Sequence, residues 1–231
     1  MMLSLNDVHT FYGESHILYG ISLNVHEGEV VCLLGRNGAG KTTTLKSIMG
    51  ITQPRSGNIL FKGGNIVGLR SFRIAKLGIG YVPEDRRIFS NLTVLDNLEM
   101  GIKVRGTGKW TIERVWEIFP ELMHLQKSKG MSLSGGEQQM LTIARTLMGD
   151  PGLLLLDEPS EGLAPVVVKK LGKLVKELKQ HMTILLAEQN ANFGIHLADR
   201  GYIIEKGNIW FHGKTEEIKN NKEIQVRYLA V

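Results

Sequence analysis

The sequence is short of the features that would commit it to a disulfide scaffold, a membrane span or a repeat array. Its one cysteine, Cys32, lies within the apolar run VVCLL at positions 30–34. No disulfide is available there, and a small buried hydrophobe is the simplest reading. The longest apolar runs, such as 30–34 and LLLL at 153–156, fall far short of the ~20 residues a spanning helix needs. The amino-terminal MMLSLNDVHT has no basic-then-apolar pattern, so an export signal is not expected. No internal repeat is visible, and the seven histidines lack zinc-ligand spacing. Charge of one sign is scarce too. The chain carries 28 Lys+Arg against 23 Asp+Glu, a net +5 over 231 residues, which is too mild to point to nucleic acid.

What remains is an ordinary globular composition, 42% hydrophobic and 22% charged, with 27 glycines. Such fractions exclude a disordered or collagen-like chain, and the length fits a single domain over 1–231. Short apolar runs alternate with helical patterns, which predicts a mainly parallel α/β core. The residues at 3–11 alternate like a half-exposed strand. The runs at 30–34, 153–156 and 184–187 read as buried strands, each ending at a polar or glycine-rich turn. Val167, Leu171, Leu174, Val175 and Leu178 fall at helical spacing, with lysines on the remaining positions as a solvated face. The segments 202–204 and 209–211 predict a hairpin around Lys206-Gly207-Asn208, and 214–227 predicts a solvated terminal helix. Residues of about 88–148 break the rhythm and predict a helical insertion, with turns at Gly101, Gly106 and Gly108. Trp110, Trp116 and Trp210 read as packing residues, and His196 as a mid-helix histidine.

The stretch Gly35-Arg36-Asn37-Gly38-Ala39-Gly40-Lys41-Thr42, followed by Thr43, matches the phosphate-loop pattern G-x-x-x-x-G-K-[ST]. An apolar strand runs into it and a helical pattern leaves it, which an incidental glycine-rich turn would not require. The glycines let main-chain N–H groups converge on a phosphate, and the helix N-terminus adds partial positive charge. Lys41 suits the β- and γ-phosphates, and the Thr42 hydroxyl suits Mg²⁺. Asp157 and Glu158, closing the 153–156 run, supply the carboxylates such a site needs. Asp157 would hold Mg²⁺ and Glu158 would polarise an attacking water. Read alone, the pair could be two solvated turn residues.

Leu133-Ser134-Gly135-Gly136-Glu137-Gln138-Gln139, upstream of that pair, resembles the signature of ATP-binding cassette ATPases. Ser134 and Glu137 also read as a helix capping box, though capping alone does not call for Gly135 and Gly136. The resemblance covers nearly the whole chain. It implies a P-loop NTPase (RecA-like) α/β core with a mostly parallel sheet. An antiparallel β portion would precede it, and the helical insertion would come before the signature motif. It also implies a head-to-tail dimer, in which Ser134, Gly135, Gly136 and Glu137 meet the γ-phosphate of ATP held by a second subunit. Tyr12 stands where the family places an aromatic that stacks on adenine; a core tyrosine is the alternative.

Three positions depart from the commonest family pattern. Glu84 replaces a glutamine that meets Mg²⁺ or water, Gln189 replaces a switch histidine, and Ala164 replaces an aspartate. Glutamine can donate to a γ-phosphate but cannot carry a proton. The segments YVPEDRRIF at 81–89, Glu161-Gly162-Leu163-Ala164-Pro165 and Glu188-Gln189-Asn190-Ala191-Asn192 together resemble the smaller ATPase subunit of branched-chain amino acid importers. Urea or short-amide importers are close neighbours. The resemblance therefore implies a Mg²⁺-dependent ATPase on the cytoplasmic face of the inner membrane. It would dock separate transmembrane permease subunits through a groove near 84–89 and serve, indirectly, an extracytoplasmic solute-binding protein. A soluble cassette ATPase, as in translation or DNA repair, is the competing class.

Overall fold

The computed structural model describes residues 1–102, 108–224 and 226. Two sheets organise them. The first is antiparallel and four-stranded, built from β1 (Leu3–Tyr12), β2 (Ser15–Val25), β4 (Pro54–Phe61) and β5 (Gly64–Asn65) in the order β2-β1-β4-β5. The second has six strands: β3 (Val30–Leu34), β6 (Ile79–Val82), β7 (Leu153–Asp157), β8 (Thr183–Glu188), β9 (Arg200–Glu205) and β10 (Asn208–Lys214). Their order is β10-β9-β3-β8-β7-β6, and every pairing is parallel except β9 with β10.

The apolar runs are continuous because both faces of this sheet are covered. Along β7, Leu154 and Leu156 enter one hydrophobic cluster while Leu153 and Leu155 enter the other. The same division holds for Cys32 and Leu34 against Val31 and Leu33 in β3. Cys32 is fully buried, and desolvation raises its thiol pKa well above the ordinary value. The hairpin between β9 and β10 turns at Lys206 and Gly207, both with positive φ (46° and 76°), as a two-residue turn matched to strand twist requires.

Helix α1 (Lys41–Ile48) follows β3, and α2 (Ser71–Leu77) leads into β6. Between residues 88 and 148 lie α3 (Val94–Glu99), α4 (Ile112–Ile118), α5 (Pro120–His124), a 3-10 turn at Gly130–Ser132 and α6 (Gly135–Leu147). Among the described residues of this stretch no strand joins either sheet. Trp110 is buried, Trp116 packs on the same cluster, and Trp210 is more exposed at 38%. Helix α7 (Pro165–Leu178) buries Leu171, Leu174, Val175 and Leu178 and exposes Lys169, Lys170, Lys173 and Lys176. Proline at its first position loses no helical hydrogen bond.

Helix α8 (Ala191–Leu197) is short, so His196 sits exposed in its last turn rather than in mid-helix. The carboxyl-terminal segment is likewise not one solvated helix. Helix α9 (Thr215–Asn220) ends at Asn221, and Ile218 and Ile224 are buried in the core. Gly106 and Arg227 lie outside the described residues.

Candidate functional site

Parallel strands β3, β8 and β7 lie side by side, so their carboxyl ends bring three distant segments to one edge. These are the glycine-rich loop after Leu34, Glu188-Gln189 after β8, and Asp157-Glu158 at the end of β7. Crevices beyond the carboxyl ends of such strands are where α/β sheets bind ligands. The loop is fixed by main-chain bonds: Gly35 N donates to Glu188 O at 3.3 Å, Ala39 N to Arg36 O at 3.1 Å, and Gly207 N to Ala39 O at 2.8 Å. Gly40 caps α1 with φ 113°. A Cβ there would stand 2.8 Å from Leu18 Cδ2, so glycine is required on both conformational and steric grounds. The first-turn N–H groups of α1 then face the cleft unpaired within the helix, ready for an anion.

Lys41 is buried and turned inward. Its Nζ donates to Gly35 O at 2.7 Å and Arg36 O at 3.0 Å, and pairs with Glu158 Oε1 at 3.1 Å. Asp157 is fully buried. Its Oδ1 accepts from Thr42 Oγ1 at 2.9 Å and its Oδ2 from the Tyr81 hydroxyl at 2.8 Å. Burial pushes the Asp157 carboxyl pKa up, while these two hydrogen bonds oppose the rise. Burial, then the charge of Asp157, pushes the Tyr81 hydroxyl pKa well up, so it remains a donor. A hydroxyl and a carboxylate converging in this way form the hard-oxygen donor set that Mg²⁺ prefers. Glu84 is exposed but close enough for its charge to raise Asp157 further.

Glu158 adopts φ 45°, an unusual conformation for a non-glycine residue, and its N–H donates to Ala187 O at 2.9 Å. Hydrogen bonding with Glu158, ahead of desolvation, raises the pKa of Glu161. A cleft of about 240 Å³ opens over the loop, lined by Tyr12, Ile17, Gly38, Lys41, Thr42 and Glu158, among others. Tyr12 is 46% exposed, which sets aside the reading of it as a core tyrosine.

Ser134, Gly135, Gly136 and Glu137 do not line this cleft; they open α6. The capping box is present, with Glu137 Oε2 accepting from Ser134 N at 2.7 Å and from Ser134 Oγ at 2.8 Å. Capping alone does not call for the two glycines, and Gly136 has a packing reason as well: a Cβ there would approach Val167 Cγ1 to 2.9 Å, whereas one on Gly135 would meet only the movable end of Arg86. Gln189 is exposed just beyond β8.

Three residues that sequence reasoning left unassigned stand at this edge. Tyr81 holds Asp157. Arg86 donates through Nη2 to Glu161 O at 2.9 Å and lies against Gly135. Glu188 is buried with its pKa pushed up to about 7, by desolvation first. A charged residue closing a buried strand was a visible signal for Glu188. Tyr81 and Arg86 carried none, because their partners lie about 75 positions away.

The family model for ABC transporters matches residues 18–161. The chain is 42% identical to the high-affinity branched-chain amino acid transport ATP-binding protein BraG of Pseudomonas aeruginosa, over 99% of this chain and 100% of that protein. It is 34% identical to the probable branched-chain amino acid transport ATP-binding protein LivF of Archaeoglobus fulgidus, over 97% of each. It is 35% identical to the lipopolysaccharide export system ATP-binding protein LptB of Escherichia coli K12, over 95% of this chain and 93% of that one. Among solved structures, a nucleotide-free ATP-binding cassette from an ABC transporter superposes with TM-score 0.84 at 27% identity, over 100% of this chain and 99% of that one. A dimeric cassette in a post-hydrolysis state, bound to ADP and Pi, superposes with TM-score 0.82 at 26% identity, over 93% and 99%.

Proposed function

This chain belongs to the ABC transporter family and is an ATP-hydrolysing transport ATPase, and from that premise we propose that it powers uptake of branched-chain or other hydrophobic amino acids. The observation that carries the choice of solute is the 42% identity with BraG across both chains. A second reading, service to a different transporter such as an exporter, draws on the 35% identity with LptB.

In the proposed cycle the ATP phosphates take the place now filled by internal contacts. Lys41 exchanges Glu158 and the carbonyls of Gly35 and Arg36 for the β- and γ-phosphates. The N–H groups of 38–42 converge on the same charge. Freed from Lys41, the Glu158 carboxylate accepts a proton from water as it attacks the γ-phosphorus, and the bond to the β–γ bridging oxygen breaks to leave ADP and phosphate. Gln189 donates to a γ-phosphate oxygen, and Tyr12 stacks on the adenine. Thr42 and Asp157, with Glu84 beside them, would hold Mg²⁺, which neutralises phosphate charge. Ser134 and the first-turn N–H groups of α6, unable to serve their own loop, complete the site of a second subunit in a head-to-tail dimer. The dimeric cassette found among the structural relatives supports that arrangement.

No helix among the described residues is long and apolar enough to cross a membrane. On the importer reading, transmembrane permease chains carry the solute, this chain docks on their cytoplasmic side, and an extracytoplasmic solute-binding protein delivers the solute. A groove of about 480 Å³ suits the permease contact. Tyr81, Phe89, Met100 and Arg145 line it, with Phe89 47% and Met100 64% exposed. Arg145 stacks on Phe89 at 4.9 Å, which braces the apolar wall of the groove. The test is uptake into vesicles holding the permease complex and internal ATP. Leucine, isoleucine or valine should accumulate, and Glu158→Gln should stop it. Transport of another solute, with none of these, overturns the reading.

A further inference from the structure

Glu188 is a buried ionisable group that no step above uses. It closes β8 in the middle of the site edge and is 2% exposed. Its main-chain oxygen accepts from Gly35 N at 3.3 Å, its Oε1 from Ser160 N at 3.2 Å, and its Oε2 from Asn190 N at 3.4 Å. One residue is thus bonded to the phosphate loop, to the segment following Glu158, and to the loop that carries Gln189. Its stem is packed from above by α8. Glycine at 194 is required by β3 beneath the helix, since a Cβ there would stand 2.5 Å from Cys32 Sγ and 3.0 Å from Leu34 Cδ2, while Glu188 Cβ would lie at contact distance, 3.6 Å. Burying a carboxyl group carries a desolvation cost that an apolar residue at the strand end would not incur. The two carboxyl oxygens reach the two N–H groups separately, one each.

We propose that Glu188 is a positioning residue for hydrolysis, tying the Gln189 loop and the 160–164 segment to the phosphate loop as one unit. Displacement of 160–164 then moves the Gln189 amide relative to the γ-phosphate. This rests on the reading of Gln189 as a γ-phosphate donor, and it concerns hydrolysis alone, whatever solute is moved.

The test is steady-state ATP hydrolysis by the purified chain as Glu188→Gln, Glu188→Ala, Gln189→Ala and the double variants. Glu188→Ala should lower kcat about tenfold while KM for ATP stays within about threefold. Glu188→Gln, with one acceptor oxygen in place of two, should fall between. Because both residues act through one group, Glu188→Ala added to Gln189→Ala should cost no more than about a further twofold. Wild-type kcat in Glu188→Ala, a KM rise that accounts for the loss, multiplicative losses in the double variant, or a wild-type rate in Gln189→Ala each overturns the proposal. Glu188→Gln keeps the side-chain shape, so the cycle runs on it if melting curves show that Glu188→Ala does not fold. Vesicle uptake plays no part in this assay, so its failure and a failure of the importer reading are told apart.

Discussion

The Lys41–Glu158 ion pair joins two buried side chains to which the proposed cycle gives separate roles, the carboxylate towards water and the ammonium towards phosphate. On that proposal Glu158→Gln removes the base while leaving Lys41 free for the nucleotide. Hydrolysis should therefore fall about 100-fold or more, with ATP-bound dimers accumulating on size exclusion. Hydrolysis at near wild-type rate would remove Glu158 from the role of base. Glu188 gives a pH signature of a different kind. Its folded pKa of about 7 lies above the ordinary 4.5, so the folded chain holds a proton that the unfolded chain releases. Stability from this group is full below about 4.5, falls as pH rises towards 7, and is flat beyond, with a total span of roughly 3 kcal/mol. The melting curve of Glu188→Gln should lack that fall, so its offset from wild type should grow in its favour between about pH 5 and 7. Parallel melting temperatures across that range would contradict the assignment.

At the scale of elements, α6 and α7 show that a motif can answer to packing and chemistry together. Gly136 opens α6 with Val167 of α7 directly against it. Gly136→Ala should destabilise the fold by about 1 kcal/mol through overpacking, and Val167→Ala should remove most of that cost in the double variant. An unchanged denaturation midpoint would show that the helices part easily there. The strands were legible for a simpler reason. An uninterrupted apolar run bounded by Gly or Asp has few stable fates other than a strand covered on both faces. The same uniformity hides orientation: nothing in LLLL at 153–156 tells which leucines face which cluster, and the structure sends alternate ones to opposite sides. Leu154→Ala or Leu155→Ala should each cost about 2–5 kcal/mol in chemical denaturation, because both faces are close-packed.

Over the whole molecule, three loops far apart in sequence meet because β3, β8 and β7 are neighbours. The groove beside Phe89 lies where β6, α2, α3 and α6 come together. Phe89→Asp places a charge in that groove without touching the nucleotide contacts. It should abolish co-purification with permease subunits and leave the ATPase rate of the isolated chain within about twofold. Retained co-purification would move the docking surface elsewhere.

Short apolar runs alternating with helical patterns were enough for the sequence to point to a mainly parallel α/β core. The spacing of Gly35 to Thr42, Asp157-Glu158 and Ser134 to Glu137 pointed to phosphate chemistry, because glycine-lined main-chain N–H groups and carboxylates at a strand end are what such a site calls for. Tertiary structure alone decided that Lys41 rests on Glu158, that Tyr81 holds Asp157, and that Glu188 joins three loops. Lys41 and Glu158, Tyr81 and Asp157, and Gly35 and Glu188 are far apart in the chain, and sheet order, which no local pattern encodes, brings them within hydrogen-bonding distance.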